Sequence, residues 1–223
     1  VPAYNEQNTI VEILEQVNMQ NNKDCKLEVI VIDDNSTDST KELLENNPSL
    51  YTKFISLEKN LGKGGAVKEG LKFASGSHIL FQDADLEYNP KEYGKIIKII
   101  KKFDADLVIG SRFLSPEYTR VHYFFHKLGN KFITSLFNLI YNTTFTDIYS
   151  CYLCFKKDLI DPAKLKSNGW SQQAEILATV VSNSKVFYEV PISYSGRTFE
   201  EGKKIKARHA FSVVYMILKK RLF

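Results

Sequence analysis

The sequence predicts an α/β protein in which helices flank a mostly parallel central sheet. Apolar residues at helical spacing, such as Ile10, Ile13 and Leu14, alternate along the first half of the chain with short runs rich in Val and Ile, such as 27–32. These apolar runs stop at polar clusters, which is typical of buried parallel strands joined by helices. The chain of 223 residues is long enough to bury a substantial core and short enough for one domain.

The individual elements of the first half follow from the local pattern. Asn8 or Thr9 is expected to cap the first helix, and the third helix is entered through Gly62 and the glycine pair 64–65. The predicted helices cover residues 10–17, 37–45, 64–74 and 93–102, and the predicted strands cover 27–32, 54–57, 78–82 and 107–110.

The second half of the chain is less regular. We expect an aromatic-rich helical stretch at 121–145 and a strand at 186–194, which lies at a sheet edge because Pro191 cannot donate to a ladder. Residues 207–223 combine apolar side chains with a basic end, which predicts an amphipathic helix on the surface. No linker separates a second domain.

The charge of the chain is concentrated at its end. The formal net charge is +4, but the last 27 residues carry eight basic and two acidic side chains and so hold +6 by themselves. Such a basic segment is typical of an ordinary solvated helix, but also of a segment that contacts a phosphate-rich ligand or an anionic membrane surface. Nucleic acid is disfavoured because the segment has no nucleic-acid-binding motif. A hydrophobic content of 43% excludes a disordered or low-complexity chain.

Several features bear on location. No apolar run approaches the ~20 residues that span a bilayer, and the first residues do not form a signal peptide. Three cysteines cannot all pair, which favours a reducing compartment, and we expect a cytoplasmic protein. Because the chain opens on Val1-Pro2-Ala3-Tyr4, we also expect that most of a first strand has been lost from its start.

Polar clusters follow three of the predicted strands, at 4–6, at 33–34 and at 83–85. One acidic pair after a strand is usually a turn or capping device, but three such clusters at the carboxyl ends of parallel strands indicate one shared site. Asp83 and Asp85 are one residue apart, so in an extended segment their carboxylates share a face and can reach one hard cation. Mg²⁺ or Mn²⁺ suits such ligands.

The ordered set of motifs resembles the family 2 glycosyltransferases of the GT-A (Rossmann-like) fold, and within them the dolichyl- or polyprenyl-phosphate hexosyltransferases. Each motif is weak alone, but together they cover nearly the whole chain. The motifs are VPAYNE at 1–6, VIDDNSTD at 31–38, NLGKGGA at 60–66, QDADL at 82–86, GSRF at 110–113, Thr146-Asp147, EVPI at 189–192, and the stretch from Arg197 to Lys203.

The resemblance implies a set of site residues. The base and ribose of a nucleotide sugar would contact Pro2, Tyr4, Glu6, Ile32 and Asp34. The pyrophosphate would contact Asp83, Ala84 and Asp85, and Arg197 and Lys203 would add positive charge there. The metal ligands would be Asp83, Asp85 and Glu87. Arg112 would hold the acceptor phosphate. The catalytic set is then Asp85, Arg112 and Asp147. The donor half of the domain would span about 1–112 and the acceptor and membrane half about 113–223.

The resemblance also implies the reaction. A hexose, mannose or glucose, would pass with inversion from GDP-mannose or UDP-glucose to a polyprenyl phosphate at the cytoplasmic membrane face, where the protein would lie peripherally. A lipid phosphate is already ionised and needs no strong base, whereas a sugar hydroxyl as acceptor would need one, with Asp147 or Glu175 as candidates. The alternatives are a hydroxyl acceptor in surface polysaccharide synthesis and a non-catalytic nucleotide-sugar-binding protein.

Other residues depart from the pattern or have simpler explanations. Tyr149 stands where close bacterial relatives carry an acidic residue, and residues 170–174 replace a segment rich in Phe and Pro; both departures flank the acceptor side, which favours a changed acceptor over a changed donor. Cys151 and Cys154 form a single Cys-x-x-Cys without a second pair, which favours packing over a zinc or redox role.

Overall fold

The structure is a computed structural model that describes residues 1–23, 25–115, 123–196 and 209–222. The strands are β1 (Pro2–Ala3), β2 (Ile30–Asp33), β3 (Lys53–Ser56), β4 (His78–Leu80), β5 (Leu107–Ser111), β6 (Leu153–Lys156) and β7 (Phe187–Pro191). The α-helices are α1 (Ile10–Asn18), α2 (Thr40–Asn46), α3 (Lys63–Leu71), α4 (Tyr93–Phe103), α5 (Phe124–Tyr141), α6 (Gln172–Asn183) and α7 (His209–Leu222).

The strands form two hydrogen-bonded sheets. The first has the order β1-β2-β3 and is parallel throughout; the second has the order β4-β6-β5-β7, in which β5 and β7 are parallel and β6 is antiparallel to both of its neighbours. Ala3 pairs with Asp33, and Asp33 with Ser56, so the first three strands end level with one another. The carboxyl ends of β1 and β2, which carry the clusters at 4–6 and 33–34, therefore meet at one edge as predicted. The cluster at 83–85 follows β4, which lies in the second sheet and pairs with the antiparallel β6.

Most of the predicted elements are present, with ends shifted by up to three residues in the first half. The predicted strand at 27–32 is β2, and the predicted helix at 37–45 begins at Thr40, where the Asp38 carboxylate accepts the Thr40 N–H at 2.9 Å. Pro191 ends β7, which lies at a sheet edge as expected. The predicted surface helix near the end of the chain is α7.

Two elements, β6 and α6, were not predicted. β6 is a run of only four residues without a clear period. α6 is buried on nearly all sides, including the polar residues Gln172 and Glu175 in its first turn, so no apolar stripe marks it in the sequence. Both elements owe their conformation to tertiary packing.

The core has two parts, one on each side of the second sheet. One part joins α5, α6 and α7 to the apolar side chains of β5 and β6, with Phe137, Leu153 and Phe155 fully buried. The other joins α1 and α4 to β1 and β2 and contains a cluster of buried tyrosines. Within that cluster the Gln82 amide oxygen accepts hydrogen bonds from Tyr93 and Tyr152, each at 2.8 Å. Gln82 comes at the end of the β4 segment, so this cluster fixes the start of the acidic turn that follows.

The helices α5 and α7 pack against each other and leave large apolar side chains exposed. We call this surface the α5–α7 face; its exposed apolar residues are Phe124, Phe125, Leu128, Phe132 and Leu139 on α5 and Phe211, Tyr215, Leu218 and Leu222 on α7. None of the helices in the described part of the chain has the length and apolarity needed to cross a bilayer.

Asp106 joins β5 to the start of β7 and gives a stability prediction. One carboxylate oxygen accepts the N–H groups of Lys185 and Val186, both at 3.0 Å, and the other lies 2.9 Å from the Lys156 ammonium. Burial alone would raise the pKa of Asp106, but these donors outweigh it and hold the pKa below its usual value. A carboxyl group with a lowered folded pKa stabilises the fold above its unfolded pKa and loses that contribution as the pH falls through the folded value.

We expect Asp106→Asn to lower the free energy of unfolding at pH 7 by about 1 kcal/mol, because the amide nitrogen must face one of the donors. The difference from wild type should shrink in urea unfolding as the pH falls through the lowered folded pKa of Asp106, because the carboxyl group is then protonated in both states. Asp104→Asn is the matched control, since the Asp104 side chain also meets Lys156, at 3.0 Å, but is 88% exposed. An equal loss in both variants, or a loss that persists in acid, would contradict the assignment.

Candidate active site

A cavity of about 350 Å³ opens at the carboxyl ends of β1 and β2 and beside the segment that follows β4. It brings together residues that are far apart in the sequence. Its lining residues include Pro2, Tyr4, Glu6, Asp34, Asn60, Lys63, Asp83, Ala84, Asp85, Glu87, Arg112, Tyr149, Cys151, Trp170, Gln172, Gln173 and Tyr194. The volume lies in the range of small-molecule sites.

The wall formed by β1 and β2 is tied together by short hydrogen bonds. The buried Asp34 carboxylate accepts the backbone N–H of Leu61 at 2.7 Å, and the Asn60 amide donates to the Asp34 carbonyl at 3.1 Å. Burial raises the pKa of Asp34. On the neighbouring loop the Asn5 side chain accepts the N–H of Thr37 at 2.8 Å. These contacts hold the polar ends of the first two strands in one fixed arrangement.

An acidic turn after β4 forms the opposite side of the cavity. Asp83 lies 2.5 Å from the Lys63 ammonium, which extends from the first residue of α3. Burial alone would raise the pKa of Asp83, but Lys63 outweighs it and keeps the pKa below its usual value. Asp85 accepts the N–H of Glu87 at 3.2 Å across Leu86, whose φ of 59° is the left-handed conformation that closes the turn.

The turn offers oxygen ligands that fit a hard cation. Asp83 and Asp85 both line the cavity, and carboxylate oxygens suit Mg²⁺ or Mn²⁺, which commonly bind through one or two carboxylates together with substrate phosphates. Within the described ranges no group of three or more His, Cys, Asp and Glu side chains is arranged to hold a metal ion. Such ions commonly complete their coordination with substrate phosphates and water. Glu87 is less available, because its carboxylate accepts the Tyr194 hydroxyl at 2.6 Å.

Arg112 forms a buried ion pair in the cavity wall. Its Nε and Nη2 donate to the two oxygens of Asp147 at 2.7 and 2.8 Å, and its backbone N–H donates to the same carboxylate. Asp147 is completely buried and Arg112 is 8% exposed. The guanidinium also lies 5.0 Å from the centre of the Tyr194 ring. The two charges satisfy each other, which makes burial of both tolerable.

Glu189 on β7 holds the backbone next to this ion pair in place. Its carboxylate accepts the N–H of Thr146 at 2.9 Å and the N–H of Asp147 at 3.3 Å. Burial raises the pKa of Glu189 above its usual value. The hydroxyl groups of Thr146 and Ser111 form a hydrogen bond of 2.6 Å, so the end of β5, the loop at 146–147 and β7 share one hydrogen-bond network. That network sets the position of Arg112.

The sequence profile of glycosyl transferase family 2 matches residues 1–161, which is well over half of the chain. The chain belongs to glycosyl transferase family 2. Two similar proteins are a dolichyl-phosphate beta-glucosyltransferase of Dictyostelium discoideum, 39% identical over 125 residues, and a dolichol-phosphate mannosyltransferase of Pyrococcus furiosus, 28% identical over 225 residues. The matches cover 50% and 98% of this chain, but only 38% and 62% of the relatives' own lengths.

The fold of this member of family 2 is that of GT-A glycosyltransferases of known structure. Glucosyl-3-phosphoglycerate synthase of Mycobacterium tuberculosis, solved with Mn²⁺, UDP and phosphoglyceric acid, superposes with a TM-score of 0.70 over all of this chain and 77% of its own, at 18% identity. TarS of S. aureus, solved with UDP-GlcNAc, gives 0.64 over 98% of this chain and 64% of its own, at 19% identity. At these identities the likeness shows the fold.

The cavity gathers most of the residues that the sequence singled out. Pro2, Tyr4, Glu6, Asp34, Asp83, Ala84, Asp85, Glu87 and Arg112 all line it. Arg197 and Lys203 lie outside the described residues. Asp147 is close by, but it reaches the cavity only through Arg112.

The prediction for Ile32 differs from what the structure shows. Its side chain is 2% exposed and lines a different cavity, of about 470 Å³, beside Gly70 and away from the acidic turn. β2 ends at Asp33, so Ile32 lies within the strand, where its side chain faces Gly70 of α3, whereas Asp34 lies beyond the end of the strand. Ile32 therefore belongs to the packing of β2 against α3, and Asp34 is the nearby residue that lines the site.

Several site residues were not identified as such from the sequence. Glu189 belongs to the EVPI motif and lies within β7, but neither Glu189 nor Tyr194 was given a role, because their roles depend on contacts with residues more than 40 positions away. Trp170 and Gln172 stand at the start of α6, which was itself not predicted. The glycine motif at 62–65 had already placed Lys63 near phosphate, but the contact of Lys63 with Asp83 was not predicted.

Proposed function

We propose that this glycosyltransferase transfers a hexose from GDP-mannose or UDP-glucose to a polyprenyl phosphate at the cytoplasmic face of a membrane, with inversion at the anomeric carbon. The observation that carries the proposal is that Asp147 and Glu175, the two candidate bases for a hydroxyl acceptor, are both already engaged by other groups. A phosphate acceptor needs no such base. The names of the two dolichyl- and dolichol-phosphate relatives support the same acceptor class.

Asp147 is unsuited to act as a general base. Its two oxygens accept hydrogen bonds from the Arg112 guanidinium at 2.7 and 2.8 Å, and it is completely buried. A base must lie within hydrogen-bonding reach of the proton that it removes. We therefore assign Asp147 to positioning Arg112 rather than to proton transfer.

Glu175 is engaged in a different way. It is 1% exposed and accepts the backbone N–H of Ser167 at 2.8 Å and that of Lys166 at 3.0 Å. The Lys220 ammonium of α7 lies 3.4 Å from its other oxygen. Glu175 thus fastens the loop before α6 and the end of α7 to each other, and it does not line the cavity.

The donor would lie along the cavity from the β1 and β2 ends to the acidic turn. Tyr4, Glu6 and Asp34 would bound the nucleoside, and Asp83 and Asp85 would face the diphosphate, with Arg197 and Lys203 as further basic contacts. A bound Mg²⁺ or Mn²⁺ would supply positive charge at the diphosphate oxygens as the bond to the sugar breaks. Asp83 and Asp85 are the residues that would hold it.

Arg112 would hold the acceptor phosphate. The Nε and Nη2 groups of Arg112 donate hydrogen bonds to Asp147, and among the described residues no hydrogen-bond partner faces Nη1. An ionised phosphate oxygen attacks the anomeric carbon with its own electron pair, and the diphosphate leaves from the opposite face with the pair of the broken C–O bond. No proton has to be removed, and the configuration inverts.

The α5–α7 face would bring the enzyme to its lipid substrate. Phe125 is 80% exposed and Phe211 is 81% exposed, which is costly unless another apolar phase covers them. Lys127 and Lys131 on α5 and the basic end of α7 lie on the same two helices. Apolar side chains next to basic ones are the pattern of helices that lie in the headgroup region of anionic membranes.

The proposal is tested by offering the enzyme the same polyprenyl acceptor in two forms, as the alcohol and as the phosphate. Purified protein with Mg²⁺ or Mn²⁺ and radiolabelled GDP-mannose or UDP-glucose is incubated with a short polyprenyl phosphate, with the corresponding polyprenol, or with 3-phosphoglycerate. Of the three acceptors, we expect only the polyprenyl phosphate to carry label into the organic phase. Label on the polyprenol or on 3-phosphoglycerate, without labelled polyprenyl phosphate, would overturn the acceptor assignment and leave the donor assignment standing.

A further inference from the structure

The most unusual contact in the cavity joins Lys63 to Asp83. The Lys63 ammonium lies 2.5 Å from Asp83 Oδ1, and the side chains are only 32% and 20% exposed. Asp83 also accepts a hydrogen bond from the Cys151 thiol. The carboxylate expected to face a metal and a diphosphate is therefore already neutralised by a cation that belongs to the protein.

The backbone that carries Lys63 has little freedom to move. Gly62 has a φ of 77°, and a Cβ on Gly64 would stand 2.7 Å from the Asn168 carbonyl and from the Gln172 side chain. The Gly65 N–H donates to the Asn168 carbonyl at 3.1 Å. The turn is held against the loop before α6, so any change of partner by Lys63 must come from its flexible four-carbon side chain.

Of the cations around the cavity, Lys63 is the one placed to exchange Asp83 for another partner. Among the described residues that line it, the cationic side chains are Lys63 and Arg112, and Arg112 is held by Asp147 in a bidentate pair. The carboxylates of Asp83 and Asp85 face the same space. A dication that uses Asp83 must displace the Lys63 ammonium, whereas a diphosphate would offer that ammonium a new partner.

We propose that Lys63 couples the binding of the divalent metal to the binding of the donor diphosphate. This inference rests on the proposed function, because it takes the cavity to be the donor site. With no diphosphate present, Lys63 competes with the metal for Asp83 and weakens metal binding by like-charge repulsion. When the diphosphate binds, Lys63 moves to its oxygens, Asp83 becomes free for the metal, and each ligand strengthens the other, as linkage requires.

The test measures metal binding rather than turnover. The free Mn²⁺ signal in electron paramagnetic resonance gives the Kd for Mn²⁺ in wild type, in Lys63→Met and in Lys68→Met, each with and without GDP or UDP. Lys68→Met is the matched control: it removes the same charge from the same helix, but Lys68 donates to the Asn168 side chain at 3.1 Å and does not meet Asp83. Met keeps the length of the lysine side chain without its charge.

We expect Lys63→Met to bind Mn²⁺ alone about tenfold more tightly than wild type, in keeping with removal of one nearby positive charge. The strengthening of Mn²⁺ binding by the diphosphate should fall by a similar factor, and Lys68→Met should behave as wild type. An unchanged Kd and unchanged strengthening in Lys63→Met would overturn the coupling. The same pattern in Lys68→Met would also overturn it, because the effect would then be one of net charge.

These outcomes are separate from those of the transfer assay. If Mn²⁺ and the diphosphate show the expected coupling but no polyprenyl phosphate is labelled, the inference stands and the acceptor assignment falls. If wild type binds no Mn²⁺ even with GDP or UDP present, both the coupling and the metal-assisted donor site are overturned.

Discussion

Asp85→Asn is expected to lower the rate of hexose transfer by about 10³-fold or more, in the range known for removal of a group that stabilises developing charge. The substitution removes the negative charge with which this side chain would hold a metal at the diphosphate. Within the turn the Asp85 carboxylate accepts the Glu87 N–H at 3.2 Å, and the amide oxygen of Asn can still do so. Because this local contact is kept, we expect the transfer rate to change far more than the urea unfolding curve.

The control for this variant is Asp161→Asn. Asp161 accepts the N–H of Ala163, two residues ahead, at 3.0 Å, so it makes the same kind of local turn contact as Asp85, but it does not line the cavity. Initial rates with the lipid phosphate acceptor and urea unfolding curves are measured for both variants. If Asp85→Asn keeps more than a tenth of the wild-type rate, the assignment of Asp85 to the diphosphate and its metal is wrong.

Asp147→Ala is expected to destabilise the fold by about 3–5 kcal/mol, which is the usual cost of leaving one charge of a buried pair without its partner. The Arg112 guanidinium would keep its charge in a wall where it is only 8% exposed. Burial alone would lower the pKa of Arg112, and the Asp147 carboxylate is what raises it above its usual value. Urea or thermal unfolding with and without the substitution measures the loss, and transfer should fall along with it.

A double variant separates stability from function. Arg112→Met combined with Asp147→Leu removes both charges and fills the space with apolar groups, so much of the lost stability should return. Transfer should not return, because no guanidinium remains for the acceptor phosphate. A loss of under 1 kcal/mol in Asp147→Ala would contradict a desolvated pair. Full activity in the double variant would remove Arg112 from the acceptor site.

The part of the site that could be predicted from sequence lies at strand ends. Asp34, Asp83 and Asp85 each lie within a few residues of the end of an apolar run, and ligands bind beyond the carboxyl ends of strands in α/β sheets. Local pattern and one topological rule were enough to bring these residues together. The ordered motifs then identified the family, and the match over residues 1–161 confirmed it.

The part that could not be predicted depends on partners rather than on position. Asp147 was a candidate base from its residue type, but its two hydrogen bonds to Arg112, 35 residues away, make it a positioning residue. Glu175 was a candidate for the same reason, and it holds a loop and α7 instead. A carboxylate in a sequence carries no sign of which donors will reach it.

The sequence by itself determined the α/β class, the order of most helices and strands, and the gathering of acidic side chains at one end of the sheets. These features arise from periodicity and from chain direction, which are local properties. The tertiary structure decided that β6 runs antiparallel, that α6 forms with almost no exposed face, and that Ile32 packs in the core. It also decided that Lys63 neutralises Asp83. Each of these depends on contacts between distant segments, whose energies no local window of sequence contains.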